Sequence, residues 1–162
     1  MSSFTSPLIV SPMPSGSDWE LKRSFAYHVR SEYSNVYILV PDGFVTDFAS
    51  VPRGFIALSG LAMVLLGRFL NLFWLLLLGV VVAIAIALLP SWAKYNKPSP
   101  LHDWLYYHHS IMGKPITRKQ ADGIFYDSML IDFRNHASGP FIARVEYIAV
   151  RAFGWLAWKK RR

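Results

Sequence analysis

The chain has no cysteine, which excludes a disulfide framework and a thiolate metal site and leaves no redox mark of a compartment. Charge is also scarce: 17% of the 162 residues, against a globular norm of about 25%. The shortfall is mainly in acids, since ten Asp and Glu stand against seventeen Lys and Arg, a formal net charge of +7. There are no internal repeats. What is abundant is apolar, 53% of residues with 15% aromatic, and a chain of that composition orders itself rather than staying disordered. The length suits one domain, or one domain with an appendage. Four of the positive charges close the chain at residues 159–162. Such a tail suits nucleic acid or anionic lipid, and the apolar excess favours lipid. No nucleic-acid recognition motif accompanies it. Phe141, Tyr147, Phe153, Trp155 and Trp158 instead fall at amphipathic-helix spacing.

The apolar excess is concentrated in one block. Residues 55–89 contain a single charge, Arg68, and residues 69–89 have only Asn71 as a polar side chain. As one helix, the second stretch would reach about 31 Å, close to the thickness of a bilayer core. The spacing therefore predicts a membrane span, with Phe69, Trp74, Leu76, Val81, Ile84 and Leu89 facing lipid. A helix buried inside an oligomer is the alternative. A polar N-terminal segment precedes the block, which argues against a cleaved signal peptide.

The rest reads as an α+β domain split by that block, with a β-rich half over residues 1–54, the insert over 55–90 and a helical half over 91–162. Pro7, Pro12, Pro14 and Gly16 predict an irregular lead-in. Trp19, Leu21, Phe25, Tyr27 and Val29 alternate with polar residues, which is strand periodicity, and residues 35–40 form a second strand. Pro41, Asp42 and Gly43 turn the chain into Phe44 and Val45, completing an antiparallel meander. Three helices are expected after the block. One opens at Ser99 and Pro100 and runs to about Ile111; Met112, Gly113, Lys114 and Pro115 stop it. A second begins at a capping box made by Thr117 and Gln120 and ends near Arg134. The third, over residues 141–158, carries Phe141, Val145, Ile148, Ala152 and Trp155 on one face.

Several polar residues are placed to converge. Thr46, Asp47 and Ser50 leave the last strand. His102 and Tyr106 share a helix face at i, i+4, with Asp103 about 100° round, and Arg118 and Asp122 share a face of the next helix. These residue types suit general acid/base work or a hard cation such as calcium or magnesium, held by Asp47 and Asp103. The same spacing also suits a structural cluster, with Asp47 capping a turn, Asp122 paired to Arg118, and His102 fixing a helix start to the sheet. His108 and His109 point about 100° apart and read as solvated, as do Asp127 and Asp132.

Trp19 to Leu21, the run Val40 to Arg53 containing Thr46-Asp47-Phe48-Ala49-Ser50-Val51-Pro52, the run Leu101 to Tyr106, Arg118 with Ala121, Asp122 and Phe125, and Tyr147 to Gly154 together resemble a phage and prophage family, domain of unknown function 1353. The resemblance implies a phage or prophage origin and brings no established activity. In that family's pattern a short, mostly helical link joins the Thr-Asp-Phe-Ala-Ser-Val-Pro loop to His-Asp; here the link is enlarged by the apolar block.

A single crossing would put Asp47 and His102 on opposite sides of a membrane. A shared site requires the insert to return, as a hairpin or re-entrant turn, with its tip at Gly67 and Arg68 or shifted toward Asn71. Arg53 before the insert and Lys94 and Lys97 after it suit a cytoplasmic position for both flanks. The first arm, residues 55–66, reaches only about 18 Å as helix. The His-Asp-x-x-Tyr pattern also resembles the helix motif of secreted and capsid-borne phospholipases A2. That likeness gives His102 and Asp122 catalytic roles and Asp103 a calcium ligand. The glycine-rich calcium loop and the disulfides of those enzymes are missing here. The expected function is a membrane-associated structural or ejection-type phage protein, in the virion or the host inner membrane. Its expected partners are lipid, other virion or lysis proteins, and further copies of itself. A membrane-anchored hydrolase at His102 and Asp103 is the alternative.

Overall fold

Asn71 decides the shape of the apolar block. In a computed structural model, which describes residues 3–16, 18–30, 35–48, 53–87 and 96–160, this residue sits in the left-handed region at φ 53°. The Leu72 amide donates back to the Gly67 carbonyl at 2.8 Å, so the first helix ends in a Schellman turn with asparagine in the position glycine usually fills. Helix α1 (Arg53–Phe69) and helix α2 (Phe73–Ala87) are thereby separate arms of a hairpin. Where they meet, the side chain of Gly79 is not there to intervene: a Cβ on it would lie 2.7 Å from the Gly60 carbonyl oxygen and 2.8 Å from Val64 Cγ2. Small residues let the backbones approach this closely.

A turn at Asn71 agrees with the returning insert and shifted turn expected from sequence, while residues 69–89 do not form the single continuous helix that their length suggests. Phe69 ends α1, whereas Trp74, Leu76, Val81 and Ile84 belong to α2; Leu89 lies outside the described residues, and nothing is described of the Leu76 and Ile84 side chains. The 15 residues of α2 rise about 22 Å, short of a hydrocarbon core of about 30 Å. Among the described residues no helix is long and apolar enough to cross a membrane. The first arm is longer than twelve residues because the helix runs through Gly67 and Arg68 and the turn falls at Asn71, the shifted one of the two expected positions.

The chain divides into two compact units, residues 52–94 and the remainder, 1–51 with 95–162. The larger unit is α+β, with antiparallel sheets followed by helices. Its strands are β1 (Ser3–Phe4), β2 (Val10–Pro12), β3 (Trp19–Leu21), β4 (Phe25–Arg30), β5 (Asn35–Val40) and β6 (Val45–Thr46). They form two three-stranded sheets, ordered β1-β4-β5 and β2-β3-β6, where the sequence predicts one meander. The difference lies at residues 22–24. The alternation of apolar residues from Trp19 to Val29 keeps its phase, but the Lys22 amide donates to the Ile9 carbonyl at 2.9 Å and the chain passes from one sheet to the other. The lead-in is irregular at Pro7, Pro14 and Gly16 but carries two short strands, β1 and β2. Pro12 closes an edge strand, where its missing N–H costs no ladder bond.

Register sorts the faces of the β4–β5 pair. Phe25 opposite Val40 and Tyr27 opposite Ile38 are buried, while His28 stacks on Tyr37 outside. Those four buried side chains join Leu21, Leu101, Leu105, Tyr106 and Ala121 in one core. The helices of this unit are α3 (Pro98–His108), α4 (Arg118–Asp132), α5 (Gly139–Phe153) and α6 (Trp155–Lys160). Asn96 Oδ1 accepts from the Ser99 amide at 2.9 Å and supplies the start of α3 with a partner. His109, at φ 52°, ends that helix. The segment expected only to stop α3 is a small hairpin, β7 (Ser110–Ile111) and β8 (Lys114–Pro115), turned by Met112 and Gly113 at positive φ. The capping box of Thr117 and Gln120 is present at the start of α4. The third expected helix is divided at Gly154 into α5 and α6.

Candidate functional site

The polar residues singled out from sequence meet where α3, α4 and α5 pack. Asp122, one turn into α4, is at the centre and has no solvent exposure. Its Oδ1 accepts the Tyr106 hydroxyl at 2.5 Å and faces His102 Nε2 at 3.2 Å. Its Oδ2 accepts from Arg151 Nη1 at 2.6 Å, with Arg118 Nη1 at 3.5 Å. The i, i+4 spacing on α3 brings His102 and Tyr106 together, ring centroids 4.1 Å apart, and Phe125 covers the His102 ring from α4 at 4.4 Å. Arg118 reaches across to α5, donating to the carbonyls of Val150 at 3.0 Å and Arg151 at 3.1 Å. The Val150 carbonyl also accepts from the Gly154 amide at 2.8 Å, so Arg118 adds a second donor there and, as a cation at a helix C-terminus, complements the helix dipole. Gly154 makes room for Tyr106: a Cβ there would lie 2.5 Å from the phenolic oxygen.

Burial and hydrogen bonding set the charge states. Burial pushes the Asp122 carboxyl up, but hydrogen bonds from His102, Tyr106 and Arg151 outweigh it and hold the group below its ordinary value. Burial pushes the Tyr106 hydroxyl far up, reinforced by the hydrogen bond to Asp122 and its charge, so the phenol stays protonated. The hydrogen bond to Asp122 raises the Arg151 guanidinium as well. The result is a carboxylate saturated by donors, in contact with two permanent cations.

A second, shorter link joins sheet and helix. Thr46 Oγ1 donates to Asp103 Oδ2 at 2.6 Å and accepts from the Phe48 amide at 3.1 Å. This local turn holds Phe48 at φ 53° and buries its ring edge-on against Trp19. Thr46 and Phe48 point inward, and Asp47 between them is exposed. The two acids expected to share a cation are thus placed differently, Asp47 at the surface and Asp103 buried on Thr46. Among the described residues no group of three or more His, Asp or Glu is placed to hold a metal ion. Ser50 lies outside the described residues.

Sequence spacing therefore finds His102, Tyr106, Arg118 and Asp122, and misses Arg151 and the Thr46–Asp103 bond. Arg151 is 29 residues from Asp122, beyond any helical periodicity, although it falls within the Tyr147 to Gly154 stretch that carries the family likeness. His109 is not a solvated side chain: its ring stacks on Trp158 at 3.9 Å. Asp132 is half-buried, and burial raises its carboxyl against the opposing pull of Lys97 and His136. A shallow groove of about 340 Å³ lies there, lined by Lys97, Asp132, Arg134 and Asn135 among others and by none of the candidate site residues.

As chemistry, the cluster is a clasp. His102 is 2% exposed and Asp122 0%, so neither presents an atom to a substrate, and every oxygen of Asp122 is engaged. A family of proteins of unknown function, DUF1353, matches the chain over residues 19–63 and 79–150. The matched segments contain Thr46, His102, Asp103, Tyr106, Arg118 and Asp122; the profile enters both arms of the hairpin and skips residues 64–78 at its turn. No curated protein and no solved structure gives a significant match. On the extent of that match, the chain belongs to the DUF1353 family.

Proposed function

We propose that this protein is a phage-encoded, membrane-associated structural or ejection-type component. In this reading it engages the host membrane through its apolar hairpin, and the buried cluster serves to hold the larger unit together. The observation that carries it is the outer surface of the hairpin. Leu61, Leu65, Leu66 and Phe69 on α1, with Phe73, Trp74, Leu77, Leu78 and Val81 on α2, are all exposed; Phe69 is 86% exposed and Trp74 78%. Water does not tolerate a contiguous apolar surface of that extent on a monomer. Arms of 17 and 15 residues reach about 25 and 22 Å, enough to enter a bilayer and return on the side of entry. Such an insertion returns the chain to the side of entry, which suits the positive residues that flank the insert in sequence. A hydrolase at His102 draws no support from the geometry, because the imidazole and its partner carboxylate are both sealed.

Flotation of the full chain with phosphatidylcholine vesicles tests this. The wild type should float, and the pair Leu65→Glu and Trp74→Glu should stay in the load. A wild type that remains monodisperse without lipid or detergent and does not float would overturn the reading, as would an oligomer that buries the hairpin and ignores vesicles. Mass spectrometry of purified particles tests the phage role. Presence in the particle is expected; recovery only from membranes of infected cells would move the assignment to lysis.

A further inference from the structure

The faces of α5 are inverted relative to a helix that packs only on its own core. Its inward side carries Gly139, Ala143, Glu146 and Val150. Its outward side carries Phe141, Val145, Ile148 and Ala152, at i, i+4, i+7 and i+11, and α6 continues the line with Trp155 and Leu156. Phe141 is 73% exposed, Ile148 57% and Trp155 47%. Trp158 keeps α6 in place by packing on the other side, edge-on to Tyr106 at 5.0 Å and stacked on His109. Residues 141–156 thus present an apolar stripe about 22 Å long.

The charge around the stripe has one sign. The only acid of α5 and α6 is Glu146, which is buried, and Arg151 is committed to Asp122. Arg144 is exposed beside the stripe, and residues 159–162 are all basic. An apolar stripe with a tryptophan at the end nearest a basic cluster, and no accessible acid on the helix, is the composition of a helix that lies in a lipid interface.

We propose that the outward face of α5 and α6 docks flat on an anionic lipid surface, as a contact separate from the hairpin. The proposal goes beyond the hairpin reading, and the test separates them. Because the chain has no cysteine, Ile148→Cys in the full-length protein takes a single environment-sensitive fluorophore. Vesicles of phosphatidylcholine alone report the hairpin; an equal mixture with phosphatidylglycerol adds the anionic surface. The label should shift to the blue only with the mixture, and high salt should reverse the shift. Val145→Glu with Ile148→Glu should weaken binding to the mixture by about tenfold or more, leaving the phosphatidylcholine result and the melting temperature unchanged. Arg144→Glu, which keeps the apolar stripe, should weaken it severalfold. A label that stays in water with both vesicles, or a glutamate pair that binds the mixture like the wild type, would overturn the proposal. So would a dimer in lipid-free solution that already shields the label and is abolished by the glutamate pair, since the face would then belong to a second copy. If nothing binds phosphatidylcholine alone, the hairpin reading fails while a blue shift with the mixture still upholds this one.

Discussion

Asp122 and Phe69 mark the two ways this chain departs from the usual sorting of polar and apolar groups. One is a carboxylate with no exposure in the larger unit, the other a phenylalanine left 86% exposed in the hairpin. The carboxylate is tolerable because four donor side chains surround it, two of them cations. A buried charge is costly when unpaired and close to neutral when every lone pair is engaged. The phenylalanine has no such internal remedy. Nothing in its own helix pair covers it. The larger unit settles its exception internally, and under the proposed reading lipid covers that of the hairpin.

The strongest way to break that contrast is to remove the carboxylate. Asp122→Ala leaves His102, Tyr106 and Arg151 without their acceptor, and should cost about 3–5 kcal/mol. That corresponds to a fall of roughly 10 °C in melting temperature for a chain of this size, read by circular dichroism. A catalytic site would give the opposite pattern, with an activity lost and the melt unchanged. Tyr106→Phe keeps the ring and deletes the hydroxyl; it should cost about 1–3 kcal/mol in urea denaturation, and Thr46→Val should fall in the same range through Asp103.

pH sharpens the contrast further. The Asp122 carboxyl is held below its ordinary value of 3.8, so its stabilisation is complete above that value. It fades as pH falls through the unfolded value toward the native one. Tyr106 works in the other direction: its hydroxyl is held above the ordinary 10.0, so its contribution is complete below that pH and is lost as pH rises beyond it. The urea midpoint of the wild type should drop as pH falls below about 4, and Asp122→Ala should show a shallower acid limb. The smallest effect is expected in the hairpin. Phe69→Ser should move the melting of the larger unit by less than about 0.5 kcal/mol. A large shift there would mean that the exposed ring is part of the fold's own core.

The features legible in sequence are those governed by short-range rules. The capping box at Thr117 and Gln120, the His102–Tyr106 and Arg118–Asp122 faces and the strand at residues 35–40 all follow from periods of 3.6 and 2, and all are present. The misses need information that periodicity does not hold. Arg151 reaches Asp122 across 29 residues. The sheet switch at residues 22–24 preserves the alternation that predicts a single strand. Met112 takes a left-handed conformation that glycine or asparagine would have advertised. Asn71 does advertise one, and the turn falls there, at the shifted position expected from sequence.

In the proposed reading the turn half of the hairpin seeks lipid, and the larger unit folds by its own buried clasp. Replacing residues 64–78, the stretch the family profile skips, with a short Gly-Ser linker tests it most directly. The expected product no longer floats with phosphatidylcholine vesicles, yet melts cooperatively within a few degrees of the full chain and keeps the destabilisation by Asp122→Ala. Aggregation without a cooperative transition, or unchanged flotation, would contradict it.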